Sequence, residues 1–475
     1  VLLLAGVAAM GESAAVPGLG PRTALPPWDA GLQPSSLLVS VLLVIGYGSG
    51  AVAVALGLRV VGALRFDGRR VALAGVAAVA LFVVVPPLGS ADHLSYAAYG
   101  RIAAAGDDPY VVQPDRWRDG RDPVVSAVQP PWRSTPSVYG PVATAVQAAV
   151  AEGGGGSLRR TVWLWQLVAG AAFLAVGAVL DAATRHDPRG RARVAVLWTL
   201  NPLLLGQLVL GAHVDVLAAG FAAGALALAW RSPLVAGLLL GAAAGTKLPY
   251  AVVGPAVLWA LRGLSRPRLV RHVLSGAAGV LLVLVPAYLL AGSHVLDQLS
   301  AAGRMVSLAT PWRAVVDGLG RLVGSGTPRA VVAPAAGLLA LWLAWRLARR
   351  SPWPGGDGRE VTDAMVDPDL ACGRLVRDAA RAAVVLSAAW VLTAPYALPW
   401  YDALVWAPLA LAGGSWLDGV LLVRLLTLSW AYIPGRVVGM SPGVEAVTLA
   451  VRSWVAPVVA IGVLVMVFRR TRPAS

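Results

Sequence analysis

Cysteine is almost absent from this chain: Cys372 is the single one in 475 residues. No intrachain disulfide and no cysteine-based metal site can therefore form. Charge is scarce too, at 13% of residues, where a soluble domain carries about 25%. An ordinary water-soluble globule is excluded. Lysine is scarcer still, because every basic residue except Lys247 is arginine. With abundant alanine and glycine, that bias marks a GC-rich genome, so arginine number alone carries little functional meaning. Nor does the net charge of +15 point to nucleic acid. The arginines stand in short clusters between apolar runs, the distribution that orients membrane proteins. The first residue is Val and no basic segment precedes Val1–Ala9, so a partial first helix is expected and no cleavable signal peptide.

What fills the chain is apolar: 57% hydrophobic residues and a mean hydropathy of +0.70. Apolar runs of about 20 residues read as transmembrane helices. The expected spans are 1–16, 37–58, 71–89, 161–181, 194–211 and 214–230, then a compact pair within 233–262. After these come 272–291, 330–347, 382–398, 401–413, 419–435 and 445–468. The short segment 141–151 reads as re-entrant or lying on the membrane. The expected fold is thus an all-α polytopic membrane protein, one domain over 1–475, with about a dozen spans. No tandem repeat of fixed period is present.

Orientation follows from the arginine clusters at 59–70, 185–193, 262–271, 346–350 and 469–472. With alternating spans they share one side, which is the cytoplasmic one. The expectation is a multi-pass plasma-membrane protein with a cytoplasmic C-terminus. The polar segments 90–140 and 292–329 then face outward, and the Gly- and Asp-rich 351–378 is a cytoplasmic linker loop.

The segment 90–140 is the most informative. Asp92 follows an apolar run ending in Pro86-Pro87-Leu88-Gly89, so it lies at the membrane surface. Two readings compete: a cap at a helix start, or a carboxylate that accepts a hydroxyl proton. Tyr96 and Tyr99-Gly100 follow one and two turns along, on roughly one face. Aromatic rings beside an acid suit sugar binding. Asp107-Asp108-Pro109-Tyr110 reads first as a turn. His213 and Asp215 interrupt an apolar stretch near Gly211. They line a site or a cavity, or they reach water at the interface. Two apart on a helix they would diverge by about 160°. Lys247 stands in G-A-A-A-G-T-K-L-P-Y, which is not a phosphate loop, since Thr246 separates Gly245 from the lysine and Leu248 follows. It is a cation held near a lipid phosphate, or a snorkelling lysine. Pro395-Tyr396 and Pro399-Trp400-Tyr401-Asp402 form an interfacial belt or a closure over a sugar.

Taken in order, D-x-x-S-Y-A-x-x-G-R from Asp92, G-x-D-P-Y through Tyr110, W-R-x-T-P-x-x-Y-G-P from Trp132, G-A-H-x-D from Gly211 and P-W-Y from Pro399 resemble one family. It is the actinobacterial polyprenol-phosphate-mannose-dependent α-1,6-mannosyltransferases, within the GT-C class of polytopic glycosyltransferases. Asn201-Pro202 and Lys247 also match, and Val214 departs where Asn is expected. The resemblance implies a GT-C-type helical bundle with its site on an outward first loop. It implies transfer of mannose, with inversion, from polyprenyl-phosphate-mannose to a hydroxyl of a glycolipid or glycan acceptor of mannan type. Asp92 is implied as the base. Lys247, His213, Asp215, Arg101, Arg133, Tyr96, Asp108, Tyr110, Tyr139, Trp400 and Tyr401 are implied around donor phosphate and sugar. No obligatory metal cofactor is expected, because arginine, lysine or histidine can stabilise a monophosphate leaving group. The partners are the lipid-linked donor, the acceptor and the bilayer. The rivals are another polyprenyl-phosphate sugar, such as arabinofuranose, and a transporter or flippase of lipid-linked sugars. The latter needs no carboxylate base and often carries inverted repeats, which this chain does not show.

Overall fold

The computed structural model describes residues 1–63, 67–323, 327–353 and 368–472. Among them there is no β-strand, as an apolar chain demands where water cannot satisfy an open sheet edge. The helices are α1 (Leu2–Met10), α2 (Ser36–Val60), α3 (Gly68–Val83), α4 (Asp92–Ala104), α5 (Pro141–Gly154) and α6 (Leu158–Ala183). Next come α7 (Pro188–Leu210), α8 (Asp215–Leu228), α9 (Pro233–Thr246), α10 (Leu248–Leu261), α11 (Arg266–Ala291) and α12 (His294–Gly303). The last are α13 (Trp312–Val323), α14 (Thr327–Arg349), α15 (Pro368–Thr393), α16 (Ala403–Ala412), α17 (Leu417–Ala431) and α18 (Pro442–Arg470).

Six of the described helices are long and apolar enough to cross a membrane: α2, α6, α7, α11, the Ala330–Arg349 part of α14, and α18. That is half of the dozen spans expected. Several expected spans form helices too short for a core of about 30 Å: α1 has 9 residues, α16 has 10, and α8 and α9 have 14 each. The segments expected to face outward hold more structure than a loop, since α4 lies within 90–140, and α12 and α13 within 292–329. Of the expected linker 351–378, residues 354–367 lie outside the described residues, and from Pro368 the chain is already helix α15.

The core forms where α2, α3, α6, α7, α8, α16 and α17 meet, and Phe173 stacks on Trp198 at 5.1 Å within it. Every residue of α16 is buried. Two buried ion pairs fix it at both ends, Arg193–Asp418 at 2.6 Å beside Leu409 O, and Arg424–Asp402 below it. At the periphery the rule inverts. Leu281, Leu282, Leu289 and Leu290 on α11 are all exposed, the pattern of a helix whose solvent is lipid. This helix is held by glycine. A Cβ on Gly237 of α9 would stand 2.0 Å from Gly276 O of α11, and one on Gly279 would stand 2.3 Å from Leu234 O. Without side chains between them the two backbones touch, the close crossing that small residues permit in membranes. It fixes the axis of α9 and with it the lysine at its end.

The bundle has two chemically different ends. Arg59, the 185–193 cluster, Arg231, Arg262 and Arg346–Arg350 terminate helices at one end. Arg346 also reaches the carbonyls of Phe468 and Thr471, which brings in the C-terminal arginines. Asp92, His213, Asp215, Lys247 and the Pro399–Asp402 turn gather at the other.

Candidate active site

Asp92 is the first residue of α4, yet its carboxylate is not the cap: the N-cap position is held by Ala91, which has no capping side chain. The cap reading fails for Asp92. Instead, Ser90 Oγ accepts the Asp92 N–H at 3.2 Å and lies 2.9 Å from His213 Nε2. His213 Nδ1 is 2.5 Å from Gln207 O. A carbonyl can only accept, so the ring proton sits on Nδ1 and the Ser90 hydroxyl donates to Nε2. The imidazole stacks on Trp400, with ring centroids 3.7 Å apart, and Nε2 is 3.9 Å from Asp92 Oδ2. His213 therefore orients the start of α4.

Asp92 is 9% exposed. Burial raises its pKa to about 6, against the lowering influence of Lys247 and of hydrogen bonds from Ser90 and Tyr96. A carboxyl so placed still ionises near neutrality but is a stronger base than a surface aspartate, the tuning that general bases show.

Asp215 opens α8 while His213 stands in the turn before it, so the two do not share a helix face. Neither reaches water, both being 1% exposed. That turn is held by Trp165 Nε1, which donates to Ala212 O at 2.7 Å, and Ala212 takes a left-handed conformation, φ 53°. Asp215 Oδ1 accepts from Lys247 Nζ at 2.6 Å. The ammonium also lies 3.5 Å from the centre of the Tyr401 ring. It is a buried, held cation and does not snorkel.

A second close approach positions this lysine. Gly140 N donates to Thr246 O at 3.2 Å, and a Cβ on Gly140 would stand 2.1 Å from Gly245 O. The Y-G-P turn is thus pressed onto the G-T-K segment, which sets Tyr139 beside Lys247. Tyr96 meets Tyr139 edge-on at 5.0 Å and Trp165 at 5.3 Å. Likewise Gly100 lets α4 lie on α5, since its Cβ would be 2.2 Å from Gln147 O.

Asp92, Tyr139, Lys247, Trp400 and Tyr401 share the wall of one cavity of about 360 Å³. His213, Asp215 and Tyr96 back that wall through the contacts above. Four residues expected at the site stand elsewhere. Arg101 is 3.3 Å from Asp122, whose other oxygen accepts from Val124 N and Val125 N, so it staples the loop. Arg133 donates to Val128 O at 2.9 Å. Asp108 closes its own turn by accepting from Tyr110 N at 2.8 Å and faces His294 at 2.9 Å. Tyr110 pairs with Thr144 at 2.8 Å. Tyr99, Trp132 and Tyr396 line the same cavity, as does Trp390, which no motif singles out, and Ser90 links His213 to Asp92. Tyr99 was traceable, one turn after Ser95 on the face that carries Asp92. The partner of Ser90 lies 123 residues away in sequence, and no local pattern signals it. Among the described residues no three His, Cys, Asp or Glu side chains converge as a metal site would need.

A family model described as "Alpha-(1->6)-mannopyranosyltransferase, N-terminal domain" matches residues 1–263. A Mycolicibacterium smegmatis protein, "Probable alpha-(1->6)-mannopyranosyltransferase", is 35% identical over 142 residues, covering 29% of this chain and 25% of that protein. "Alpha-(1->6)-mannopyranosyltransferase A" of Mycobacterium tuberculosis is 31% identical over 264 residues, 53% of this chain and 49% of its own length. "Alpha-(1->6)-mannopyranosyltransferase B" of Corynebacterium glutamicum is 27% identical over 178 residues, 38% and 28% respectively. The matched segments thus span between a quarter and a half of these relatives. No solved structure matches.

Proposed function

The chain belongs to the alpha-(1->6)-mannopyranosyltransferase family, and on that premise we propose that it transfers mannose from polyprenyl-phosphate-mannose to a hydroxyl of a mannan-type glycolipid or glycan, forming an α-1,6 linkage. One observation carries the reading: a buried carboxylate of raised pKa and the chain's lone lysine face a single aromatic-walled cavity. Asp92 removes the acceptor's proton as that oxygen attacks C1 of the sugar. The C1–O bond to phosphate breaks on the opposite side, so a β-linked donor gives an α product. The electron pair leaves on the lipid phosphate, whose growing charge Lys247 meets at close range.

Tyr139, Tyr401 and Trp400 offer ring faces and edges to the sugar. The cavity wall continues along Ala333, Ala336, Gly337 and Ala340 of α14, small residues against which a polyprenyl chain can lie. Arg101 and Arg133 take no part. The cavity opens to the outer face of the plasma membrane and the arginine end faces the cytoplasm, in keeping with the distribution of positive charge. No divalent ion is required, because Lys247 supplies the charge that a metal would.

The test is transfer in membranes expressing the chain, with radiolabelled polyprenyl-phosphate-mannose and mannan acceptors, in the presence and absence of EDTA. Product with an α-1,6 bond, formed equally in both conditions, is expected. No transfer with this donor while a polyprenyl-phosphate arabinofuranose is used would redirect the assignment. Collapse of transfer with EDTA, restored by a divalent cation, would return a metal to the mechanism.

A further inference from the structure

Hydroxyls on the helices of this bundle have partners. Ser40, Thr161, Thr246, Ser387, Thr393 and Thr427 each donate to the carbonyl four residues back, at 2.5–2.9 Å. That is the usual bond of a helical serine or threonine. Ser95 departs from it. The residue is 4% exposed, and its Oγ has no hydrogen-bond partner within the protein. Among the described residues no other buried serine or threonine hydroxyl lacks one. The local backbone does not withhold the bond. Ser95 stands four residues after Ala91, the N-cap position of α4. Thr161 stands four residues after Ser157, the N-cap of α6, and bonds that residue's carbonyl at 2.9 Å. Ser95 instead lines the cavity that holds Asp92, and the cavity is where a partner has room to stand.

We propose that Ser95 selects the acceptor sugar, sharing a hydrogen bond with the 4-OH of the mannose whose 6-OH Asp92 deprotonates. The inference rests on the mannosyl-transfer reading above and adds the contact that decides which acceptor hydroxyl meets the base. Asp92 and Ser95 are three apart on α4. Side chains so spaced stand about 5–6 Å apart at their first carbons, close enough for both to hold one hexose. Tyr99, a turn further on, lines the same cavity. Its phenol donates to Thr135 O at 2.9 Å, which ties α4 to the turn that carries Trp132, another wall residue. This is the acceptor's side because α4 carries the base. Lys247, held by Asp215 and Tyr401, marks the donor's side. A serine hydroxyl both donates and accepts, so it matches a sugar hydroxyl in either sense. Along the carbon skeleton the 4-OH is the hydroxyl nearest to the 6-OH. The right acceptor supplies the bond that the fold leaves unmade, and a sugar lacking that hydroxyl does not.

The test follows transfer by the purified full chain to an octyl α-1,6-dimannoside and to the same acceptor lacking the 4-OH of its terminal mannose. S95A deletes the hydroxyl and leaves a good helix former. With the intact acceptor, S95A should lose about tenfold in acceptor kcat/KM, the worth of one hydrogen bond, with donor KM unchanged. The parent protein should lose a similar factor when the 4-OH is missing. S95A should then lose little more, because both changes delete the same contact. Removing the 2-OH or the 3-OH should cost the parent and S95A alike. The melting temperature of S95A should equal or exceed the parent's, since no bond within the fold is removed. Additive losses from S95A and the 4-deoxy acceptor would overturn the proposal, and a lower melting temperature beside them would make Ser95 a structural residue. A rise in donor KM with acceptor kinetics unchanged would also overturn it. Absence of transfer by the parent to the intact acceptor would sink the mannosyl-transfer reading and this role with it. Equal transfer by the parent and S95A would sink the role of Ser95 alone.

Discussion

Replacing Asp92 with Asn should lower activity and raise stability at once. In the folded chain burial holds the carboxyl at about 6, against an ordinary value of 3.8. That difference makes ionisation of the folded protein unfavourable by about 3 kcal/mol, at 1.36 kcal/mol for each tenfold change in proton affinity. The sign is that of a raised acid. The penalty is absent below pH ~4, grows as the unfolded chain ionises ahead of the folded one, and is complete above pH ~6. Asparagine has no charge to bury, so Asp92→Asn should gain up to about 3 kcal/mol near pH 8 and nearly nothing near pH 4. Turnover should fall by about 10²–10⁴, the worth of a positioned base. In the parent enzyme, transfer should drop with acidification through pH ~6 as Asp92 protonates. The assay pairs radiolabelled transfer with thermal unfolding of detergent-solubilised protein at pH 5 and pH 8. An Asn variant that is less stable than the parent at pH 8 would mean the carboxylate serves structure. One that turns over normally would remove Asp92 from the chemistry and favour transport over catalysis. Asp108→Asn is the comparison, and a turn-forming side chain should cost only a modest part of the rate.

Lys247→Ala should raise the apparent KM for the lipid donor and lower turnover, while Lys247→Arg keeps the charge with altered geometry and retains partial activity; a parental KM for both would place the phosphate elsewhere. Gly140→Ala drives a methyl group into Gly245 O and should destabilise by about 1–3 kcal/mol, with donor KM rising because Lys247 is displaced; an unchanged melting temperature would refute the close contact. In a Cys372→Ser background, Ser134→Cys should react with an impermeant maleimide on intact cells and Arg470→Cys only after lysis, and the reverse pattern would invert the orientation.

The helical class, the membrane setting and the region of the site are legible in the sequence, because they rest on hydropathy and on a short motif-bearing segment. The number of full spans is not, since Pro399–Asp402 and the glycine-rich α8–α9 region break apolar stretches into helices shorter than the bilayer core. Asp92, Lys247, Trp400 and Tyr401 are found together, although 155 or more residues separate Asp92 from the other three in the chain. Arg101 and Arg133 illustrate the opposite case. Their motif positions say nothing of direction, and the carboxylate and carbonyl that capture them lie within the same loop. His213 and Asp215, two apart and expected to diverge, do serve different partners, Ser90 for the histidine and Lys247 for the aspartate.

The glycines at 100, 140, 237 and 279 put the composition in another light. A genome rich in G and C supplies glycine codons freely, and much of this chain's glycine could be read as mutational drift. At these four positions drift is not tolerated. Every glycine codon is one base from alanine, valine, arginine and an acidic residue, and each of those would place its first side-chain carbon within 2.0–2.3 Å of a backbone oxygen. The same nucleotide bias that fills the chain with glycine thus also opposes two of these replacements, since valine and the acidic residues introduce T or A, whereas alanine and arginine do not and are barred by the contact alone.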